Sequence, residues 1–243
     1  TYDAAHNLLS KTDSKGVTGY TYDAMNRLLT VIEPSGKITA YTYDAAGNLK
    51  TRSDARGRTT TYFHDALNRV FNIRFPTGGM NIYLFRDQGA NGLGRLTGMI
   101  DESGTTAWTH TPHGEVAAKT HTAAGSSTHN VGYTYLNGRL TRLTYPSGAY
   151  VDYTWSQGRI TEIRLNGAPL LTGIQYQPFG APQSWTWGNG LPYTKGFDPE
   201  TGWPLSLPLG TDTRTLAHDA AGRLTSYTHT TPGLNQSFDY DAQ

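Results

Sequence analysis

The chain has 243 residues, with 20 Lys and Arg against 19 Asp and Glu, 36% hydrophobic residues and no Cys. That balance excludes a disulfide scaffold, thiol chemistry and thiolate metal sites, and it leaves no net field directed at nucleic acid or an anionic membrane. Mean hydropathy is negative, and no apolar run approaches the roughly 20 residues a membrane-spanning helix needs, so neither a densely filled core nor a membrane span is expected. Gly (28), Pro (12) and Tyr (16) are abundant, the composition of a turn-rich β protein.

From its first residues the chain repeats. Tyr2-Asp3-Ala4, Tyr22-Asp23-Ala24, Tyr43-Asp44-Ala45 and His64-Asp65-Ala66 recur at 20- to 21-residue steps, and His218-Asp219-Ala220 and Tyr240-Asp241-Ala242 return to the phrase near the end. A second mark falls 13 residues after each early Asp, at Gly16, Gly36, Gly57 and Gly78, twice as Pro-x-Gly (Pro34-Ser35-Gly36 and Pro76-Thr77-Gly78). In the middle the Asp is mostly lost. A small residue followed by a polar and an aliphatic one persists at Gly94-Arg95-Leu96, Gly114-Glu115-Val116, Gly138-Arg139-Leu140 and Gly158-Arg159-Ile160. A fixed period of this length is the signature of a repeat array. About eleven units are expected across 1–243, with longer irregular ones at about 79–130 and 166–214.

Each unit reads as a hairpin. In the unit around Tyr22 and Asp23, alternating aromatic and β-branched residues suit a half-buried strand. Asp23 is placed to accept from the backbone two residues on, and Asn26 (Gly47 in the next unit) tolerates the positive φ that closes such a turn before a bulge. Arg27-Leu28, Leu49 and Arg69 then open the second strand. Asn91-Gly92, Asn137-Gly138, Asn166-Gly167 and Asn189-Gly190 add four tight hairpin signals of the two-residue kind. No window holds a helical period. Strands spaced at roughly 4.8 Å form a ribbon on the order of 100 Å wide, which must curl. Same-face pairs such as Tyr20/Tyr22, Tyr41/Tyr43, Tyr62/His64, Tyr83/Phe85 and Tyr153/Trp155 are expected to stack as aromatic ladders along it. The chain opens inside one repeat and ends inside another, so it reads as an internal fragment truncated at both ends, with its termini and any targeting signal elsewhere.

Other chemistries are weaker readings. His110, His113, His121 and His129 lie near one another in sequence, but on strands and loops, without the helical frame that makes a three-residue spacing useful for zinc. The carboxylates recur with the period as turn residues, unlike a glycosidase pair. Gly89, Gly92, Gly94 and Gly98 lack the Lys-Ser/Thr of a phosphate loop and fit a loop insertion in the fifth repeat. Ser, His and Asp occur without a nucleophile-elbow phrase. No catalytic, cofactor-binding or metal-ligating residue is therefore assigned, and no cofactor. Trp185, Trp187 and Trp203 cluster in the later third, and with the recurrent Tyr they make carbohydrate binding the alternative function.

The phrases Tyr43-Asp44-Ala45-Ala46-Gly47-Asn48-Leu49 and His218-Asp219-Ala220-Ala221-Gly222-Arg223-Leu224 resemble the tyrosine-aspartate (YD) repeats of bacterial Rhs proteins, which are similar to those of insecticidal toxin-complex shell components and animal teneurins. The resemblance covers nearly the whole chain and is strongest over 1–80 and 215–243. It implies an all-β array of YD hairpins forming a long curling antiparallel sheet, part of a hollow β-shell that encloses a C-terminal toxin domain for delivery to a competitor or host cell. The implied partners are flanking repeats and that toxin domain, and the implied location is secreted or at the cell surface. Asp198-Pro199-Glu200-Thr201-Gly202-Trp203 departs from the family's self-cleaving core motif by an extra residue before Gly and the absence of the following Leu, so no protease role is carried onto Asp198. The signature residues, all expected to be structural, are Tyr22, Asp23, Asn26, Arg27, Leu28, Tyr43, Asp44, Gly47, Leu49, Asp65, Asn68, Arg69, Gly138, Arg139, Leu140, Asp219, Gly222, Arg223 and Leu224.

Overall fold

A computed structural model describes residues 1–76, 78–178, 180–231 and 233–240. Thr77 of the second Pro-x-Gly turn, and Asp241 and Ala242 of the last repeat phrase, lie outside them. No helix occurs among the described residues, so none is long and apolar enough to cross a membrane. The chain divides into two compact units, Thr1–Val131 and Gly132–Gln243.

The first unit is an antiparallel ladder whose strands pair in chain order: β1 (Ser10–Asp13), β2 (Gly16–Tyr22), β3 (Leu28–Ile32), β4 (Ile38–Tyr43), β5 (Leu49–Ser53), β6 (Thr59–His64), β7 (Val70–Arg74), β8 (Ile82–Arg86), β9 (Leu96–Asp101), β10 (Gly104–His110) and β11 (Val116–Ala123). The next strand, β12 (Thr128–Leu136), carries the chain into the second unit. There β12 pairs with β13 (Arg139–Thr144), followed in order by β14 (Tyr150–Ser156), β15 (Arg159–Leu165), β16 (Ala168–Tyr176), β17 (Pro182–Trp187) and β18 (Pro192–Thr194). A separate five-stranded sheet follows, built from β19 (Gly196–Phe197), β20 (Pro204–Leu209), β21 (Asp212–His218), β22 (Leu224–His229) and β23 (Gln236–Ser237).

The register sorts the residues of the first unit by face, because side chains alternate along a strand. Tyr20, Val31, Thr39, Tyr41, Arg52, Thr60, Tyr62 and Ile73 share one face, and Thr21, Thr30, Ala40, Thr42, Thr51 and Thr61 the other. On the hydroxyl face the side chains pair across strands, Thr21 with Thr30 and Thr42 with Thr51, each at 2.6 Å. Neither face is sealed. Ile174, at 6% exposure, is the only buried apolar residue among those described, and no side chain there is fully enclosed. Cohesion therefore rests on the ladder and on contacts along the sheet, because little apolar area leaves water.

The turns follow the expected chemistry. Asn26 (φ 61°), Gly47 (91°), Asn68 (59°) and Gly222 (80°) all take the left-handed conformation. Asn26 N–H donates to the Asp23 carbonyl at 3.0 Å and Asp23 N–H to the Arg27 carbonyl at 2.9 Å, and a bulge between Thr21 and Tyr22 precedes them. The same bulge recurs before Tyr43, His64, Tyr135, Trp155 and His218. The Asn-Gly pairs split. Asn137-Gly138 and Asn166-Gly167 form two-residue turns with both φ positive, between the partners Leu136/Arg139 and Leu165/Ala168. The expectation fails for the other two. Asn189-Gly190 ends a wider turn, in which Gly190 N–H donates to the Trp187 carbonyl and Trp187 N–H to that of Leu191. Asn91-Gly92 sits inside a long loop closed by Asp87 N–H to the Arg95 carbonyl.

A third tight turn, between Ser156 and Arg159, places Gln157 at φ 47° beside Gly158 at 83°. A β-carbon in that region crowds the backbone, and Asn tolerates it better than Gln. Replacing Gln157 by Asn is expected to stabilise the second unit by about 0.5–1 kcal/mol, read as a higher denaturant midpoint at constant slope. An unchanged midpoint would show that the turn is held by its surroundings and not by its own preference.

Candidate functional site

The signature residues converge at the hairpin tips. Asp23 Oδ1 accepts from the backbone N–H of Met25 and Arg27, both at 2.9 Å, and Oδ2 takes the Arg27 Nε at 2.8 Å. Asp65 with Arg69 and Asp219 with Arg223 repeat the arrangement, and Asp3 with Asn7 and Asp44 with Asn48 use an amide in place of the guanidinium. On the opposite edge Asp54 caps the turn that ends at Gly57 in the same way, with Arg58 Nε at 2.7 Å. These bonds favour the ionised carboxylate. Asp54 is lowered to about 2, by the Arg58 side chain first and then its backbone N–H, and Asp23, Asp65 and Asp219 are lowered chiefly by backbone N–H donors.

From each tip the chain reaches the next hairpin. The Tyr43 hydroxyl donates to the Leu28 carbonyl at 2.9 Å, while the Arg27 guanidinium lies over the Tyr43 ring at 4.5 Å. Tyr176 with Ile160 (2.8 Å) and Arg159 (4.9 Å) forms the same clasp, as does Tyr240 with Leu224 (2.7 Å) and Arg223 (4.7 Å). Tyr22 donates to the Leu8 carbonyl at 3.0 Å. Trp155 substitutes an indole N–H, 2.8 Å from the Leu140 carbonyl, with Arg139 5.7 Å from its ring. So Leu28, Leu140 and Leu224 contribute a carbonyl, and Arg27, Arg139 and Arg223 a cation, to the ring of the following repeat. Gly47 belongs to the same clasp. A β-carbon there would lie 3.6 Å from an Arg27 terminal nitrogen, and at Gly222 it would meet Trp203 at 2.8 Å.

The expected ring-on-ring ladder is thus corrected, since the link between successive Tyr rings is an arginine and a hydroxyl. The bulge before each Asp turns the ring toward the preceding hairpin, which alternation alone does not reveal. Sequence reasoning also missed Asp87. It serves as the fifth repeat's turn aspartate, pairing with Arg69 Nη2 at 2.6 Å and accepting from Gly94 N–H across the inserted loop. The signal was present as Arg86-Asp87 ahead of Gly94-Arg95-Leu96, obscured by the insertion. Leu49 begins β5 opposite Tyr43. His64, at the clasp position after it, is bypassed by a tip-to-tip bond from Asn48 Nδ2 to Asn68 Oδ1 at 2.8 Å.

The other candidates resolve locally. No group of three or more His, Cys, Asp or Glu is placed to hold a metal among the described residues. His121 Nδ1 meets Thr106 Oγ1 at 3.0 Å and His129 Nε2 meets Ser127 Oγ at 3.2 Å. Asp198 accepts from the N–H of Glu200 and Thr201, a turn cap. An Asp–His pair does exist in the five-stranded sheet, with Asp212 Oδ2 2.6 Å from His229 Nδ1. The free nitrogen of a general base is occupied, however, because Arg214 Nε donates to His229 Nε2 at 3.1 Å. The carboxylate of Asp212 is held well below its usual range by Thr230 and then His229. The tryptophans do not form one cluster. Trp185 packs on Trp187 and stacks on Tyr193 at 4.2 Å, whereas Trp203 lies against His218 and Gly222 in the other sheet.

The clasp predicts energetic coupling. Tyr43→Phe is expected to cost about 1 kcal/mol for the lost hydrogen bond. A double-mutant cycle of Arg27→Ala with Tyr43→Ala should give a coupling of about 0.5–1 kcal/mol, and additive losses would refute the clasp. The tip aspartates predict a pH dependence. Their pKa values are depressed on folding, so their stabilisation is complete above the ordinary value of 3.8 and disappears as pH falls through it toward about 2. Denaturant midpoints measured across that range should fall, and fall less in Asp54→Asn. A flat profile would mean that the caps contribute nothing.

The RHS Repeat family matches residues 2–38, 26–59 and 43–79. No curated protein sequence matches. Among solved structures, the chain is similar to the crystal structure of TcdB2-TccC3 at 14% identity and a TM-score of 0.73, covering 95% of this chain and 15% of that one. It is similar to TcdB2-TccC3 without its hypervariable C-terminal region at 15% identity and a TM-score of 0.71, covering 95% and 15%. The Tc holotoxin pore of Photorhabdus luminescens gives 15% identity and a TM-score of 0.68 over 91% of this chain and 14% of that one. This chain therefore spans about one seventh of the chains it resembles. Residues 2–79 thus carry the RHS repeat signature, and the same tip-and-clasp unit continues to Tyr240.

Proposed function

We propose that this chain is a non-catalytic wall segment of an exported toxin shell, enclosing a C-terminal toxin domain until delivery to a competitor or host cell. The observation that carries the reading is the fold likeness over 95% of the chain to TcdB2-TccC3, a structure also solved without a hypervariable C-terminal region. The physics agrees. A sheet with almost no buried side chains but continuous ladders and clasps gains area by adding repeats, which suits a wall better than a site that must exclude water from a reacting group. Among the described residues, the repeat-phrase aspartates Asp3, Asp23, Asp44, Asp65 and Asp219 are each engaged in a turn cap.

Protease protection tests this. In the intact parent protein the C-terminal domain should resist a protease that degrades the same domain expressed alone, and Asp44→Ala with Gly47→Ala together should open the wall and remove the protection. Equal cleavage of the enclosed and isolated domains would reject the proposal.

A further inference from the structure

The four Asn-Gly pairs of the chain share a chemical liability. In each, the backbone nitrogen of the Gly can close a five-membered ring on the Asn side-chain carboxamide, because no β-carbon on the Gly blocks the approach. The reaction needs a carboxamide free to swing onto the chain and a Gly N–H free to lose its proton.

The structure separates the four pairs on both counts. Asn91 Nδ2 donates to the His110 carbonyl at 3.1 Å, and Gly92 N–H to the Gly89 carbonyl at 3.4 Å. Asn189 Oδ1 accepts from Leu191 N–H at 3.1 Å, and Gly190 N–H donates to the Trp187 carbonyl at 2.8 Å. Asn166 Oδ1 accepts from Tyr150 N–H at 2.8 Å, which draws its carboxamide toward a neighbouring strand and away from Gly167. Asn137 differs. Among the described residues neither its carboxamide nor Gly138 N–H has a hydrogen-bond partner. Both residues are exposed, in the two-residue turn between Leu136 and Arg139.

We propose that Asn137-Gly138 is a site of spontaneous backbone modification, at which Asn137 becomes a mixture of aspartyl and isoaspartyl residues ahead of every other Asn-Gly pair. The Gly138 nitrogen, its proton lost to solvent base, attacks Asn137 Cγ. The N–Cγ bond forms, the Cγ–Nδ2 bond breaks, and Nδ2 leaves as ammonia with a proton taken from water. Water then opens the cyclic imide at either carbonyl, so that one water is consumed and one ammonia released, with no change of oxidation state. Opening at the main-chain carbonyl routes the chain through the former side chain and lengthens it by one carbon. That carbon enters a turn whose flanking residues are cross-strand partners, beside the Arg139 that lies 5.7 Å from the Trp155 ring. The modification thus falls on a tip that presents a clasp cation. It is independent of the shell reading, since it needs only one hairpin of the second unit.

Peptide mapping by mass spectrometry of the 243-residue chain, aged in mildly alkaline buffer, tests the proposal, with a parallel sample in guanidinium chloride. In the folded chain the Asn137 peptide should gain the mass of an amide-to-acid exchange at least about fivefold faster than the Asn91, Asn166 or Asn189 peptides, the weight of one hydrogen bond that must first break. In denaturant, where those bonds are gone, the four rates should converge. Electron-transfer fragmentation should identify the isoaspartyl product at position 137. Asn137→Gln should abolish the fast reaction, because its ring needs one more atom. The fold accommodates Gln in such a turn, since Gln157-Gly158 takes φ 47° and 83° where Asn137-Gly138 takes 51° and 73°. Should that variant unfold, the folded and denatured samples of the unaltered chain decide. No reaction at Asn137, another pair reacting as fast in the folded chain, or a ranking that persists in denaturant would overturn the proposal.

Discussion

The bond from an aromatic side chain of one hairpin to the backbone carbonyl of the hairpin before it is the constraint on which the array depends. A lone two-stranded hairpin is marginal in water, and here the usual remedy is missing, since only Ile174 of the described apolar residues is buried. Ladder bonds between strands fix neighbours edge to edge but leave the tips free to splay. The clasp ties them. A ring-borne donor such as Tyr43 Oη reaches the Leu28 carbonyl while Arg27 covers the ring, so one contact restrains side chains from both hairpins and shields a backbone bond from water. Each clasp is worth little alone, and its effect accumulates with the number of repeats.

The tip capping follows from the same requirement. Arg27 can lie over Tyr43 because its Nε is already held by Asp23, which selects one orientation of a side chain otherwise rich in rotamers. The Asp therefore acts twice, closing its own turn through backbone N–H groups and aiming the cation at the next ring. The left-handed residue acts twice as well. Gly47 allows the turn conformation and leaves the space into which Arg27 projects. A signature that reads along the chain as a turn motif is, in space, a contact between consecutive turns.

This explains what the sequence discloses and what it conceals. Period, strand alternation and turn position depend on residues close together in the chain, so the hairpins, the left-handed Asn26 and Gly47, and the absence of helix were all legible. The partner of each Tyr was not, because it lies 14 to 16 residues away and is a backbone carbonyl, which every residue possesses. Asp87 was hidden by the loop between it and Arg95, and Gln157 by its poor intrinsic fit to a left-handed turn. Asn189-Gly190 misled because the dipeptide fits more than one turn width. The division between Trp185 with Trp187 and Trp203 depends on the change of sheet after β18, which no local pattern marks.

The clasp also accounts for how the fold outruns its own signature. The family match ends at residue 79, yet the same geometry recurs at Arg139–Trp155, Arg159–Tyr176 and Arg223–Tyr240. What the geometry demands is a planar ring bearing a terminal donor, a cation able to lie over it, and any carbonyl at the receiving strand. Trp155 satisfies the first demand with an indole N–H in place of a phenol. Where Asn stands in place of the cation, at Asn7 and Asn48, its amide donates to Asn26 or Asn68 of the next tip. Because the receiving atom is backbone, substitutions at the accepting position cost nothing to the bond, as Ile160 in place of Leu demonstrates. Sequence identity can therefore decay well before the hydrogen-bond pattern does, and a TM-score of 0.73 at 14% identity is what a contact specified half by backbone permits.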